Sequence, residues 1–157
     1  MSAEEPRTAR IGVISDTHGH LGAEALEALA GVDHIIHAGD IGNPSILMEL
    51  EAIAPVTAVL GNGDSALAVF GLRAVERVVV AGIRFLVVHI PADVVRRQDV
   101  DVIVVGHTHR PQVRRDDGVL YVNPGSPSRS RGDGHTIALI DIVDGRADAR
   151  IVPLDRA

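Results

Sequence analysis

Asp101-Val-Ile-Val-Val-Gly-His-Thr-His109 is a short β-branched apolar run that ends in a glycine and then two histidines at i and i+2. Its composition and length, bounded by Gly106 and Pro111, predict a buried strand. Gly106 lets the backbone turn sharply at the strand end. Side chains two apart in extended backbone point the same way, so His107 and His109 can enter one cavity as a metal-ligand pair. Taken alone, the pair is explained equally well as two loop histidines with no ligand role.

The same arrangement recurs along the chain. Arg10–Ser15 reads as a strand that runs straight into Asp16-Thr-His18, and Val32–His37 as a second that is followed by Gly39-Asp40. Val56–Leu60 is a third strand, followed by Gly61-Asn-Gly-Asp64, and Ile83–Val88 ends at His89. Five apolar strands thus hand over to Asp16 and His18, Asp40, Asn62, His89, and His107 with His109. In α/β sheets ligands bind in the crevice beyond the carboxyl ends of the strands, so all of these residues can converge there.

Between these strands, Leu21–Ala30 has helical composition with Gly31 as its stop. Asn43-Pro44 starts a second helix with an N-cap residue and proline at the first helical position. Ile46, Leu47, Leu50 and Ile53 give that helix one apolar face, and Pro55 ends it. The β-α-β-α-β order with short connections predicts a largely parallel sheet built from right-handed crossovers. Ser65–Glu76 fits a short helix or a loop, and Arg77–Ala81 a strand. Asp117-Gly118 and Asp144-Gly145 are hairpin signals, with a loop at Asn123–Arg131 between them. With no repeat or dividing linker, one domain is expected over residues 1–157, residues 1–9 forming a flexible tail.

The chain has 157 residues and no cysteine, which removes disulfides and thiolate ligands. Aromatics make up 2%, so the core must be packed from Val, Ile, Leu and Ala. Net charge is −6 and all 15 basic residues are arginine. An acidic chain without a basic stripe is a poor binder of duplex nucleic acid, because phosphate neutralisation supplies most of that affinity. The N-terminus has no apolar leader, and Val78–Ile90, interrupted by Arg84, is too short to span a bilayer. A soluble cytoplasmic protein with no membrane partner is expected, with a homo-oligomer left open.

Two Asp, one Asn and four His form a donor set rich in oxygen and imidazole, which suits Mn, Fe(II), Zn or Ni. Seven ligands are too many for one tetrahedral ion, but they serve two ions if one carboxylate bridges. Two ions about 3.5–4 Å apart clamp both oxygens of an in-line phosphoryl displacement. Each piece also has a plain explanation: Asp16 as a helix cap, Asp40 as a turn residue, Asn62-Gly63 as a hairpin turn, His89 as a satisfied core histidine. Those explanations must all hold independently, whereas one dimetal site accounts for every position.

In order, Asp16-Thr-His18, Gly39-Asp40, Gly61-Asn62-Gly-Asp64, His89, Gly106-His-Thr-His109 and Asn123-Pro-Gly-Ser126 resemble the motifs of the calcineurin-like metallophosphoesterases, and most closely their small single-domain phosphodiesterase branch. The resemblance covers residues 10 to 142. It implies an α/β fold of two mixed β-sheets packed as a sandwich flanked by helices. It implies two divalent ions, Mn(II) first among them, one held by Asp16, His18, Asp40 and His109 and the other by Asp40, Asn62, His89 and His107. It also implies a metal-bridging hydroxide as nucleophile and a small phosphate ester as substrate. Asp40, Asn62, Asp64 and His89 would form the catalytic set, with Asp64 orienting a ligand.

Two departures stand out. Gly63 occupies the place where many members of the superfamily carry a histidine that can serve as general acid. His89-Ile90-Pro91 stands where the branch often has His-Gly-His, and the segment from Pro91 to Val100 is short. Among the remaining candidates, His20 fits a phosphate contact or loop filler, and His37 an orienting or core residue. His34 and His135 are read as structural, and Arg129 and Arg131 as solvated surface arginines rather than a phosphate grip. A metal-dependent phosphodiesterase is the expected function. The alternative is a non-catalytic interaction module on the same fold, like the small retromer subunit, whose site residues have drifted; here all seven ligand positions hold competent residues.

Overall fold

The computed structural model describes residues 8–94, 99–129, 132 and 134–154. Among these residues ten strands form two five-stranded sheets. In the first sheet β1 (Thr8–Ile14), β2 (His34–His37) and β3 (Val56–Ala58) run parallel, β9 (Thr136–Val143) pairs antiparallel with β1, and β10 (Arg146–Pro153) pairs antiparallel with β9 at the edge. The second sheet orders as β4 (Val75–Val80), β5 (Ile83–Val88), β6 (Val102–Val104), β8 (Val119–Asn123) and β7 (Gln112–Asp116). Its three central strands, β5, β6 and β8, are parallel, and both edge strands are antiparallel. The expected parallel crossovers therefore hold for β1–β2–β3, but the antiparallel β1–β9 pairing makes the first sheet mixed and hairpins make the second so. The hairpins expected at Asp117-Gly118 and Asp144-Gly145 are the β7–β8 and β9–β10 connections.

The sheets pack face to face over a core of aliphatic side chains. Ile11, Val13 and Ile36 of the first meet Val87, Val102, Val104 and Val122 of the second. Phe85 is the one aromatic among the largest fully buried side chains. Each fully buried Ile or Leu stabilises the fold by about 1.5–3 kcal/mol relative to exposure, so the near-absence of aromatics costs the core little.

Helix α1 (Ala23–Ala28) and helix α2 (Pro44–Glu51) cover the outer face of the first sheet, burying Ala25, Ile46 and Leu50 against Ile14, Ile35 and Leu139. The Asn43 side chain accepts a hydrogen bond from Ser45 N (2.9 Å) and caps α2, as its position before Pro44 predicts. Among the described residues no α-helix covers the outer face of the second sheet, where Leu86, Val88, Ile103 and Val105 form a smaller cluster.

Boundaries differ locally. β1 begins at Thr8 rather than Arg10, because Thr8 and Ala9 pair with Val143 and Ile142 of β9. Residues 1–7 of the expected tail lie outside the described residues. Helix α1 is shorter than Leu21–Ala30, with Gly22 at its N-cap. Ser65–Phe70 is a 3-10 helix, and β4 starts at Val75.

Candidate metal centre

The parallel strands β1, β2, β3, β5 and β6 end at the same edge of the sandwich, and their following loops carry the polar residues. The loops are tied to one another by main-chain hydrogen bonds. Asp16 N donates to Gly39 O (2.9 Å), His18 N to Asp40 O (2.9 Å), Gly19 N to Ile41 O (2.7 Å) and Gly106 N to His89 O (2.9 Å). Asp16, His18, Asp40, His107 and His109 all have positive φ, between 49° and 71°. Such left-handed backbone costs a non-glycine residue about 1–3 kcal/mol and persists only where the surroundings impose it.

Glycines permit the close approach. A Cβ on Gly106 would overlap Ser15 Oγ and Asp16 Oδ2, and one on Gly61 would overlap Asp40 N and Oδ1. The ends of β6 and β3 can therefore press against the Asp16 and Asp40 loops only without side chains at those two points.

Each carboxylate has one oxygen anchored by the chain and one aimed inward. Asp16 Oδ2 accepts from Ser15 Oγ (2.6 Å) and His107 N (3.0 Å), leaving Oδ1 to the centre. Asp40 Oδ1 accepts from Gly63 N (3.1 Å), while Oδ2 faces His18 Nε2 (3.8 Å) and His89 Nε2 (3.4 Å). His89 is 3% exposed, and its Nδ1 donates to Ala38 O at 2.7 Å. That bond fixes the tautomer and leaves a bare lone pair on Nε2. Asp16 Oδ1 and His89 Nε2 are both buried without a hydrogen-bond partner.

His109 Nε2 lies 3.3 Å from Asp16 Oδ1 and 3.3 Å from His18 Nε2. His18 and His89 Nε2 each lie 3.8 Å from Asp16 Oδ1. Ligands of one ion at about 2.1 Å would stand about 3.0–3.4 Å apart, close to these spacings. Asp16 Oδ1 and His89 Nε2 have no hydrogen-bond partner, and Asp40 Oδ2 and the Nε2 atoms of His18 and His109 crowd beside them, an arrangement that is costly as it stands. A cation satisfies all five, so the donor set fits a metal. Two overlapping groups form, Asp16–His18–His109 and Asp16–Asp40–His89.

Asn62 and His107 are exposed, and His107 joins neither group. His107 packs edge-on against the His89 ring, centroids 5.3 Å apart. Asp64, placed with the catalytic set from the sequence, is 1% exposed. It accepts from Ile41 N (3.0 Å), Gly42 N (3.1 Å) and Gly61 N (2.9 Å), holding the Asp40 and Asn62 loops together. Both of its oxygens are thus engaged by main-chain N–H groups.

His34 is half-buried, shares a 2.8 Å hydrogen bond with Thr57 Oγ1, and stands apart from the centre. His20, Glu24, Ser128 and His135 line a separate cavity of about 340 Å³. Arg129 is exposed, and Arg131 lies outside the described residues. Burial, and next the charge of Arg129, lowers the pKa of His18. Burial pushes His37 down to about 3, so it is neutral.

Hydroxyl groups that clamp the loops escaped the sequence reading. Ser126 Oγ donates to Asp16 O (2.8 Å) and Ser128 Oγ to Thr17 O (2.8 Å), pinning the Asp16–His18 turn from the 123–128 loop. Asn123 Nδ2 donates to Gly106 O (3.1 Å) and to Thr108 Oγ1 (3.1 Å). The Asn123-Pro-Gly-Ser126 motif was the available signal for them, but its partners lie more than a hundred residues away for Ser126 and Ser128.

Comparison with known proteins agrees with this geometry. A probable metallophosphoesterase of Methanothermobacter thermautotrophicus is 33% identical over 90% of this chain and 91% of its own. A phosphodiesterase of Methanocaldococcus jannaschii is 28% identical over 74% of this chain and 82% of its own. The structure of Vacuolar Protein Sorting 29 from Cryptosporidium parvum superposes with a TM-score of 0.76 at 20% identity, covering 94% of this chain and 98% of the other. Among the described residues no helix is long and apolar enough to cross a membrane. The profile of the calcineurin-like phosphoesterase superfamily domain matches residues 10–145, and with these strand-end Asp and His loops the chain belongs to that superfamily.

Proposed function

We propose that this protein is a metal-dependent phosphodiesterase acting on small diesters. The carrying observation is the inward-facing donor set, above all the buried, unpartnered Asp16 Oδ1 and His89 Nε2. Asp16, His18, Asp40 and His109 would hold one divalent ion, and Asp40, Asn62, His89 and His107 a second. The placing of Asp40 Oδ2 between His18 and His89 supports the bridging role. Mn(II) is the first candidate, and Fe, Zn and Ni suit the same donors. Bound divalent ions supply Lewis acidity toward phosphoryl oxygens and lower the pKa of coordinated water.

The chain's own residues do the rest. Asp64 and Ser15 fix the carboxylates and loops, so the donors are preorganised before substrate arrives. Asn62 and His107, both exposed, would be open to an arriving phosphate. Gly63 offers no acid for the leaving oxygen, so a diester with a good leaving group suits this centre better than a monoester. A net charge of −6 disfavours long polyanionic substrates.

Metal-stripped protein assayed with an aryl phosphodiester, with and without Mn²⁺, tests this. Turnover only with metal is the expected result. Metal uptake with no turnover under any divalent ion would overturn it in favour of a non-catalytic interaction module.

A further inference from the structure

His37, the last residue of β2, is fully buried beneath the centre and is not one of its ligands. Its Nδ1 receives a hydrogen bond from Gly39 N (3.1 Å), and its Nε2 lies 3.1 Å from Thr17 Oγ1. The single hydroxyl proton of Thr17 goes to Ile41 O (2.8 Å). With Nδ1 accepting and the Thr17 proton committed elsewhere, Nε2 must carry the ring proton and donate it to Thr17 Oγ1.

One neutral imidazole therefore joins two loops. Thr17 sits between Asp16 and His18, Gly39 directly precedes Asp40, and Asp16, His18 and Asp40 are all in left-handed backbone. Gly39 also passes against the His89 ring, where a Cβ would come within 2.7 Å of Nδ1. We infer that His37 is a positioning residue which, through Thr17 and Gly39, sets the spacing of Asp16, His18 and Asp40 for metal capture. The role rests on the metal-centre reading above. His34, three residues earlier on the same strand and also bonded to a threonine, touches neither loop and serves as the internal control.

Mn²⁺ titration of metal-stripped protein by calorimetry, with a thermal melt of each apo variant, tests it. His37→Leu should weaken Mn²⁺ binding by about tenfold or more, the range for partners that orient ligands, while His34→Gln binds within about twofold of wild type. His37→Gln, which restores an N–H donor toward Thr17, should recover part of the loss. Thr17→Val should weaken binding, and combined with His37→Leu should give less than the product of the two separate losses, because they share the Thr17–His37 bond. If His37→Leu fails to fold, His37→Gln and Thr17→Val decide the matter. Lowered melting temperatures with unchanged Mn²⁺ affinity would overturn the inference, leaving His37 as core packing. Wild-type protein that takes up no Mn²⁺ would instead overturn the metal centre and this role together.

Discussion

The two ends of the sandwich carry the same unusual backbone for opposite reasons. At one end Ala81, Asp117 and Asp144 have positive φ, each followed by a glycine that also does, in the hairpins β4–β5, β7–β8 and β9–β10. At the other, Asp16, His18, Asp40, His107 and His109 adopt the same conformation. The hairpin residues are held by a two-residue turn whose twist suits the flanking strands. The ligand loops are held by hydrogen bonds between strands remote in sequence, such as His18 N to Asp40 O. Left-handed backbone is locally encoded at the hairpins and imposed by tertiary structure at the centre. Where it is imposed, it coincides with the candidate metal ligands.

That contrast can be broken most forcefully at Asp40. Asp40→Asn removes the inward charge shared by His18 and His89, so Mn²⁺ binding and turnover should both fall by more than about a hundredfold, beyond the usual effect of losing an orienting partner. An Asp40→Asn protein with wild-type turnover would refute the site. Gly106→Ala comes next: its Cβ overlaps Ser15 Oγ and Asp16 Oδ2, a strain of about 1–3 kcal/mol. Mn²⁺ affinity should drop by about tenfold, with a lower melting temperature. Unchanged affinity would show that the β1 and β6 ends need not touch.

The pH dependence of the apo protein probes the buried side of the centre. His37 is held near pKa 3 when folded against 6.5 ordinarily, so below pH 6.5 the unfolded chain binds a proton that the folded chain refuses. Stability from this residue is complete above pH 6.5 and is lost as pH falls toward 3, by at most about 1.4 kcal/mol per pH unit. Denaturant unfolding across that window should show a shallower slope for His37→Gln than for wild type; parallel curves would contradict the assignment. The smallest effect belongs to the hairpin end. Gly118 has φ +81° and open space around its Cα, so Gly118→Ala should cost about 1–2 kcal/mol and leave Mn²⁺ affinity untouched. A change in affinity there would mean that the two ends are coupled.

Much of this was legible along the chain. The β-branched runs, the Asn43-Pro44 helix start and the Asp-Gly hairpins are local signals, and each element appears where its residues favour it. The candidate ligands could be listed because every one directly follows an apolar strand. What stayed hidden was relational. Nothing local in Thr136–Val143 says that it pairs with β1 and makes the first sheet mixed, nor that Ser126 and Ser128 reach back to the Asp16–Thr17 carbonyls. An orienting role for Asp64 was expected from its motif, but which N–H groups it would hold, those of Ile41, Gly42 and Gly61, was not legible.

The sequence by itself determined the strands, their turns and the chemical identity of the donor set, because period, capping and donor chemistry depend on neighbouring residues. Only the tertiary structure decided which oxygen of each carboxylate is anchored and which faces inward, and which ring nitrogen of His37 and His89 carries the proton. Apart from the local bonds of Ser15 and Gly39, those choices are made by hydrogen-bond partners that the chain brings together from 20 to 91 residues away.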